Sequence, residues 1–381
     1  MIIEIRKAGF VNKGAQLMQH AIHERLKCSY PEAVFTMAPS PANRSQSFRK
    51  LVDAGFYPKA WLYWGGIQWG GLAGLLPRKL REMYGLILDR DVNVVIDAAG
   101  FSYSDHWGTS GTRELANSAR RWASQGTKVI LMPQAFGPFR GRRIRKFIAQ
   151  AVEHADLVMV RDRESYRFLT SVVGERPNVR LRGDFTNLVA GVVPAEFNPE
   201  EHRVCLVPNH RMIDSAKKSE SDLYLPFMHK CARYLVERRA RPFIVVHGGK
   251  EDQWLAESIS AAAGGLPILA LEDPVEIKGI LGASHASIGS RFHGLVSALS
   301  EGVPSLATGW SHKYEELFRD YDFAEGVLPM SGQGEQWRKL IDRLVDQGTN
   351  NELRARLLER SRTMKKQSER MWEEVLEILR S

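Results

Sequence analysis

An arginine and a histidine one residue apart, Arg291-Phe292-His293, stand between a short apolar run ending at Ser287-Ile288 and the apolar stretch Gly294-Leu295-Val296-Ser297-Ala298-Leu299. Gly289-Ser290 turn the chain before them, and Gly302-Val303-Pro304 stop it afterwards. The pattern reads as strand, turn, helix, strand. A strand-to-helix turn aims backbone N–H groups of the helix N-terminus at one point and favours an anion there. A guanidinium at the same point grips a carboxylate or phosphate in two places. An imidazole exchanges a proton near neutral pH. Arg291 and His293 therefore suit a small anionic substrate that must be protonated, with Phe292 between them. The same two residues could also do no more than cap and solvate a helix start, and spacing alone leaves both readings open.

Positioning such a turn takes a parallel α/β sheet, and the rest of the chain supplies the pattern for two. Short β-type runs at Ile2–Arg6, Val34–Ala38, Val92–Asp97, Lys128–Met132, Leu157–Val160 and Val179–Arg182 alternate with longer amphipathic segments. The alternation restarts with strands at Val204–Pro208, Phe243–His247, Ile268–Leu271, Ala286–Ile288 and Ser305–Ala307. Such alternation implies mostly parallel sheets covered on both faces, with ligands at the carboxyl ends of the strands. The polar, proline-containing stretch Val192–His202 reads as a linker. The expected organisation is a Rossmann-like domain over residues 1–195, a second over 203–325, and helices over 333–381 packing back on the body, the last helix starting after Gly348-Thr349-Asn350.

Composition narrows the functions available. The 381 residues are too many for one ordinary core. Three scattered cysteines, Cys28, Cys205 and Cys231, form neither a disulfide framework nor a zinc cluster, and a reducing cytoplasm fits them. The start Met1-Ile2-Ile3-Glu4-Ile5-Arg6 reads as a strand rather than a signal peptide. A net charge of +9 attracts polyanions or phosphorylated small molecules, but zinc-finger, RRM and basic-zipper patterns are absent, so nucleic acid is not the expected partner. The phosphate-binding GxxxxGK[ST] pattern, GxGxxG and HExxH are absent too, so neither a resident cofactor nor a tightly held metal is expected. His247-Gly248-Gly249-Lys250 follows a strand and could cradle a phosphate.

The block from Ser290 to Phe318, SRFHGLVSALSEGVPSLATGWSHKYEELF, resembles the C-terminal signature of polysaccharide pyruvyl transferases. Upstream, Phe10-Val11-Asn12-Lys13-Gly14-Ala15 resembles the family's N-terminal turn, and Asp97-Ala98-Ala99-Gly100-Phe101 its small-residue loop. Pro133-Gln134-Ala135-Phe136-Gly137-Pro138 resembles its PQ…GP loop. Val160-Arg161-Asp162-Arg163-Glu164-Ser165 resembles its R-D-x-x-S element, followed by Gly183-Asp184. In order and spacing these span about residues 8 to 320. Two blocks depart from the commoner pattern: Asp97-Ala98-Ala99-Gly100 stands where a glycine-rich run is frequent, and Asn12-Lys13-Gly14-Ala15 where N-x-G-D is frequent.

The resemblance implies two Rossmann-like domains facing across a cleft, as in GT-B glycosyltransferases. It implies transfer of pyruvate from phosphoenolpyruvate onto two hydroxyls of a sugar, with a cyclic ketal formed and phosphate released. On that reading His293 is the proton donor. Arg291 and Arg211, which follows the first strand of the second domain, hold the donor, with His210, Phe292 and His312 as further donor-side candidates. Asn12, Asp97, Asp105 and His106 are the acceptor-side candidates, although a strand-end Asp such as Asp97 is also a common loop anchor. Two rival readings remain: a sugar-nucleotide glycosyltransferase on the same architecture, and a non-catalytic partner in polysaccharide assembly. The tryptophan-rich run Trp61–Trp69 has two readings as well. It is either a self-packed loop, or an aromatic platform for a sugar or a lipid-linked acceptor, which would place the protein peripherally at the inner face of the membrane with Arg78-Lys79-Leu80-Arg81 toward anionic headgroups.

Overall fold

The computed structural model describes residues 1–39, 47–64, 67–214, 218–328 and 336–381. Gly65 and Gly66 of the tryptophan-rich run, and residues 333–335 of the expected tail, lie outside the described residues. The chain divides into two α/β units. The first comprises residues 1–10, 18–184 and 370–381; the second comprises 11–17 and 185–369.

The first unit holds a seven-stranded parallel sheet in the order Tyr57–Pro58, Val34–Met37, Ile2–Arg6, Val94–Asp97, Lys128–Gln134, Leu157–Val160, Val179–Leu181. Its central strands are buried along their whole length, which is why they read as unbroken Val/Ile/Leu runs rather than alternating ones. Six of the seven strands follow the sequence pattern. The edge pair Tyr57–Pro58 does not, because two residues carry no periodicity; it is held by backbone pairing to Thr36 and Met37 and by the Thr36 hydroxyl donating to the Tyr57 carbonyl at 2.8 Å.

The second unit holds a five-stranded parallel sheet in the order Ile268–Leu269, Pro242–Val245, Val204–Val207, Ala286–Gly289, Ser305–Ala307. One core lies between this sheet and the helices Lys218–Glu237 and Lys250–Ala262, with Leu206, Ile244, Ile288, Met228, Leu235 and Leu255 fully buried. The final helix runs Gln347–Arg380, four residues earlier than the expected start. Asp346 sets that boundary: its carboxylate accepts from the Thr349 backbone N–H at 2.9 Å and hydroxyl at 2.7 Å, a helix cap. Gly348-Thr349-Asn350, which reads as a break, is therefore the first turn. Asn350 is buried and donates to the His285 and Leu344 carbonyls. Residues of this helix up to Glu369 belong to the second unit and those from Arg370 on to the first.

Candidate active site

In the second unit the strand order reverses between Val204–Val207 and Ala286–Gly289, and the loops leaving neighbouring parallel strands at such a point enclose a crevice at their carboxyl ends. Pro208-Asn209-His210 leaves the first of these strands and Ser290-Arg291-Phe292-His293 the second. His247-Gly248-Gly249 follows the strand Pro242–Val245, and Trp310-Ser311-His312 follows Ser305–Ala307.

A buried polar network fixes the turn at Ser290. Its N–H donates to the Val207 carbonyl at 2.9 Å, and its own carbonyl accepts from Asn209 Nδ2 at 2.7 Å and from the Tyr314 hydroxyl at 2.8 Å. Its hydroxyl bonds those of Tyr224 (2.8 Å) and Thr308 (2.6 Å), and the Tyr224 oxygen accepts the Asn209 N–H at 3.0 Å. Every member is buried, so the loop carrying Arg291 and His293 is held rigidly.

Arg291 is the N-cap of the helix Phe292–Ser300. Its Nε and Nη2 lie 2.7 and 2.5 Å from Asp252 Oδ2, and Asp252 is wholly buried. The other oxygen of Asp252 accepts the His210 backbone N–H at 3.0 Å, so one carboxylate ties two of the site's loops together. Gly248 packs on this pair: a Cβ there would sit 2.3 Å from Arg291 Nη2 and 2.5 Å from Asp252 Oδ2. One edge of the guanidinium fork is thus already engaged, and its Nη1 makes no hydrogen bond among the described residues. The sequence reading missed Asp252. Its signal was an acid in the first turn of the helix Lys250–Ala262, just after His247-Gly248-Gly249.

His293, the second residue of its helix, is buried, with its ring edge-on to Phe292. Against it lies Gly14, where a Cβ would meet His293 Nδ1 at 2.4 Å. The N-terminal turn, expected on the acceptor side, belongs by its packing to the second unit. There Asn12 caps the helix Lys13–Ser29, its Oδ1 accepting the Gly14 N–H at 3.0 Å. The Lys13 N–H donates to the His247 carbonyl at 3.3 Å, and the nearly buried Lys13 ammonium bonds the Glu272 carbonyl at 2.7 Å and carboxylate at 3.0 Å.

His247 is buried, and its Nδ1 has no hydrogen-bond partner among the described residues. Burial, with the nearby positive charge of Arg291, His293 and Lys13, pushes its pKa down to about 3. It is therefore a neutral imidazole at physiological pH. The Ser311 hydroxyl is likewise buried without a partner among the described residues. His312 follows it as the half-buried first residue of the helix His312–Asp320. The Lys313 ammonium lies 4.6, 5.3 and 5.7 Å from the ring centres of Trp310, Tyr314 and Phe292.

The other candidates have partners of their own. Arg211 opens the single turn Arg211–Asp214, with its side chain half exposed and 2.9 Å from Asp214; His210 Nδ1 lies 3.7 Å from the same carboxylate. In the first unit Asp97 is fully buried: it pairs with Arg6 at 3.0 Å and accepts from the Tyr103 hydroxyl at 2.8 Å and the Ala99 N–H at 3.3 Å. A saturated carboxylate of this kind anchors its loop. Asp105 accepts the Arg140 N–H and so clamps the loop after Pro138, while the exposed His106 ring packs edge-on against Trp107. Arg161 pairs with Asp184 at 3.3 Å. Asp162 caps its helix through the Ser165 N–H at 2.7 Å, and the Ser165 hydroxyl accepts the Phe136 N–H at 3.0 Å. Asp97, Asp105 and the Arg161–Asp184 pair thus hold loops of the first unit together.

The model of the family described as polysaccharide pyruvyl transferase matches residues 12–312, most of the chain. The chain belongs to the polysaccharide pyruvyl transferase family. It is accordingly a transferase acting on polysaccharides, and the matched span contains the cluster from Asn12 to His312, with Lys313 and Tyr314 just beyond it. No curated protein matches the chain. Among solved structures it is similar to a UDP-GlcNAc 2-epimerase from Neisseria meningitidis bound to UDP-GlcNAc, with 9% identity, 99% of each chain covered and a TM-score of 0.59. It is also similar to S. aureus MnaA with UDP (12%, 100% of this chain and 96% of that one, TM-score 0.60) and to a UDP-glucosyltransferase from Polygonum tinctorium (15%, 100% and 98%, TM-score 0.57). At these identities the likeness is one of fold: two Rossmann-like units, as in GT-B enzymes.

Proposed function

We propose that this transferase moves the pyruvyl group of phosphoenolpyruvate onto two hydroxyls of a saccharide in a surface polysaccharide or its precursor, forming a ketal. The observation that carries the reading is the grouping at one set of strand ends of a clamped arginine, Arg291, a buried imidazole, His293, and a second imidazole, His247, kept uncharged. Phosphoenolpyruvate carries a phosphate and a carboxylate close together and gains a proton at its methylene carbon during transfer.

In this reading Arg291 binds an anionic group of the donor through its remaining edge, and Lys313 adds positive charge. Arg211 would exchange Asp214 for donor phosphate. His293 protonates the methylene carbon, leaving an oxocarbenium-like centre at C2. One sugar hydroxyl attacks that carbon, the C–O bond to phosphate breaks, and the second hydroxyl closes the ketal. Of the two hydroxyl protons lost, one restores His293 and the other leaves with phosphate. Cations fixed before the reaction stabilise the departing phosphate without reorganising. His247 adds hydrogen-bonding capacity without adding like charge. Phosphoenolpyruvate is a co-substrate, and the mechanism calls on no resident cofactor.

The test is donor choice. With acceptor glycan present, the protein should release phosphate from phosphoenolpyruvate and no UDP from UDP-sugars, and His293→Ala should abolish the release while remaining folded. UDP release, or an active His293→Ala protein, would overturn the assignment.

A further inference from the structure

From Ala60 to Pro77 the chain contains no Asp, Glu, Lys, Arg or His. Such a run normally signals a buried segment, yet here most of its large side chains face solvent, while Trp61 stacks inward on Trp122. About half of the large exposed hydrophobic side chains among the described residues fall between Tyr57 and Tyr84, a concentration well beyond the scattered apolar residues of an ordinary surface.

The exposure is built into three successive elements. In the short antiparallel pair Tyr63–Trp64 with Ile67–Gln68, Trp64 and Ile67 are paired and exposed, Trp64 at 73%. In the 3₁₀ helix Trp69–Leu75, side chains three apart eclipse one another. Trp69, Leu72 and Leu75 therefore form one ridge, and all three are exposed, Leu75 at 84%. In the helix Arg78–Met83, Leu80 and Met83 share a face, continued by Tyr84.

The polar groups beneath are satisfied, so the shape is specified. Gln68 Oε1 accepts the Leu62 and Gly70 N–H groups at 3.0 and 2.7 Å, and its Nε2 donates to the Ala60 carbonyl at 3.2 Å. The Trp69 indole N–H donates to the Trp64 carbonyl at 3.1 Å. Gly70 lies so close to Ala60 that a Cβ would sit 2.0 Å from the Ala60 carbonyl oxygen.

Charge selects the occupant. Immediately after the uncharged run come Arg78, Lys79 and Arg81, on a chain of net charge +9; Arg78 pairs with Glu82 at 2.6 Å and the largely buried Arg81 with Asp91 at 3.4 Å. Arg78 and Lys79 are exposed. Tryptophan and tyrosine beside aliphatic side chains, rimmed by cations, suit the boundary between acyl chains and anionic headgroups. Among the described residues no helix is long and apolar enough to cross a membrane, so a face of this kind would lie on the bilayer. We infer that the surface formed by Trp64, Ile67, Trp69, Leu72, Leu75 and Met83 docks the protein on an anionic lipid bilayer. Taken with the proposed function, it would bring the transferase to a lipid-linked saccharide, but the docking itself does not depend on the donor.

The experiment is sedimentation of the full chain with vesicles of phosphatidylglycerol and phosphatidylethanolamine, against phosphatidylcholine alone, at low and high salt. The wild type should partition onto the anionic vesicles, less so in high salt. The variant Trp64→Glu/Leu75→Glu/Met83→Glu should lose at least about a hundredfold of that binding while keeping its melting temperature and its phosphoenolpyruvate affinity. Arg78→Glu/Lys79→Glu should remove the salt dependence. No partition of the wild type, or equal partition of wild type and triple variant, would overturn the inference. So would reversible self-association that the triple variant abolishes with no vesicle binding, since the occupant would then be a second copy of the chain. A protein that binds vesicles but not phosphoenolpyruvate would leave docking standing and the donor assignment fallen.

Discussion

Replacing Gly14 by alanine should separate stability from catalysis. The added methyl carbon would stand 2.4 Å from His293 Nδ1 and 2.8 Å from His293 Cβ and Cγ. Ordinary carbon contacts lie at about 3.5 Å or more, so the imidazole must retreat by roughly 1 Å, and the helix start that carries its Cβ must give way with it. A displacement of that size at a reacting group costs about a hundredfold in rate, or close to 3 kcal/mol. Gly14 is not held in a left-handed conformation, and it sits in the first turn of a helix, where alanine is favoured over glycine by about 0.5–1 kcal/mol. That gain offsets part of the repacking, so the melting temperature should move by no more than a few degrees. The assay is phosphate release from phosphoenolpyruvate with acceptor glycan, run beside scanning calorimetry. A Gly14→Ala protein that keeps its melting temperature and works within about threefold of wild type would refute the reasoning, because a catalytic His293 does not tolerate such a shift.

Asp252→Asn should destabilise the protein by about 3 kcal/mol in chemical denaturation, since it strands the Arg291 charge in a largely buried site; a loss under about 1 kcal/mol would show that the pair is dispensable. Lys59→Met should cost about 3–5 kcal/mol by leaving buried Glu4 and Asp89 without their shared cation, as measured by the same denaturation. Stability should also fall on acidification. His247 has a depressed folded pKa, so the unfolded chain binds more protons between pH 6.5 and about 3, and roughly 2 kcal/mol should be lost by pH 5; His247→Phe should flatten that part of the profile. Glu114, held at about 2 by Arg6 and Lys7, adds stability that is present above its ordinary pKa of 4.5 and is lost as pH falls toward 2; Glu114→Gln should remove this lower limb.

The sheets were legible in the sequence because parallel strands buried on both faces leave unbroken apolar runs, as at Val94–Asp97 and Val204–Val207. The turn at Arg291 was legible for the same reason: a strand, a glycine and a helix bracket it. Long-range partners were not. Nothing local to Asp252 says that it meets Arg291, thirty-nine positions away, or that the Asn12–Gly14 turn packs against His293 and His247 rather than with the unit that surrounds it in sequence. Asp97 read equally as a base or an anchor, and only its ring of donors, Arg6, Tyr103 and Ala99, shows how fully it is engaged. Gly348-Thr349-Asn350 misled because an aspartate just upstream turns apparent helix breakers into a capped first turn.

The central claim is that Arg291 and His293 serve pyruvyl transfer from phosphoenolpyruvate. Its most direct measurement is mass spectrometry of surface glycans from a strain lacking the gene, complemented with wild type or with folded His293→Gln protein. The account predicts one ketal-linked pyruvyl group per modified sugar with the wild type and none with the variant. Equal pyruvylation by both, or none by either while a hexose is gained with the wild type, would contradict it.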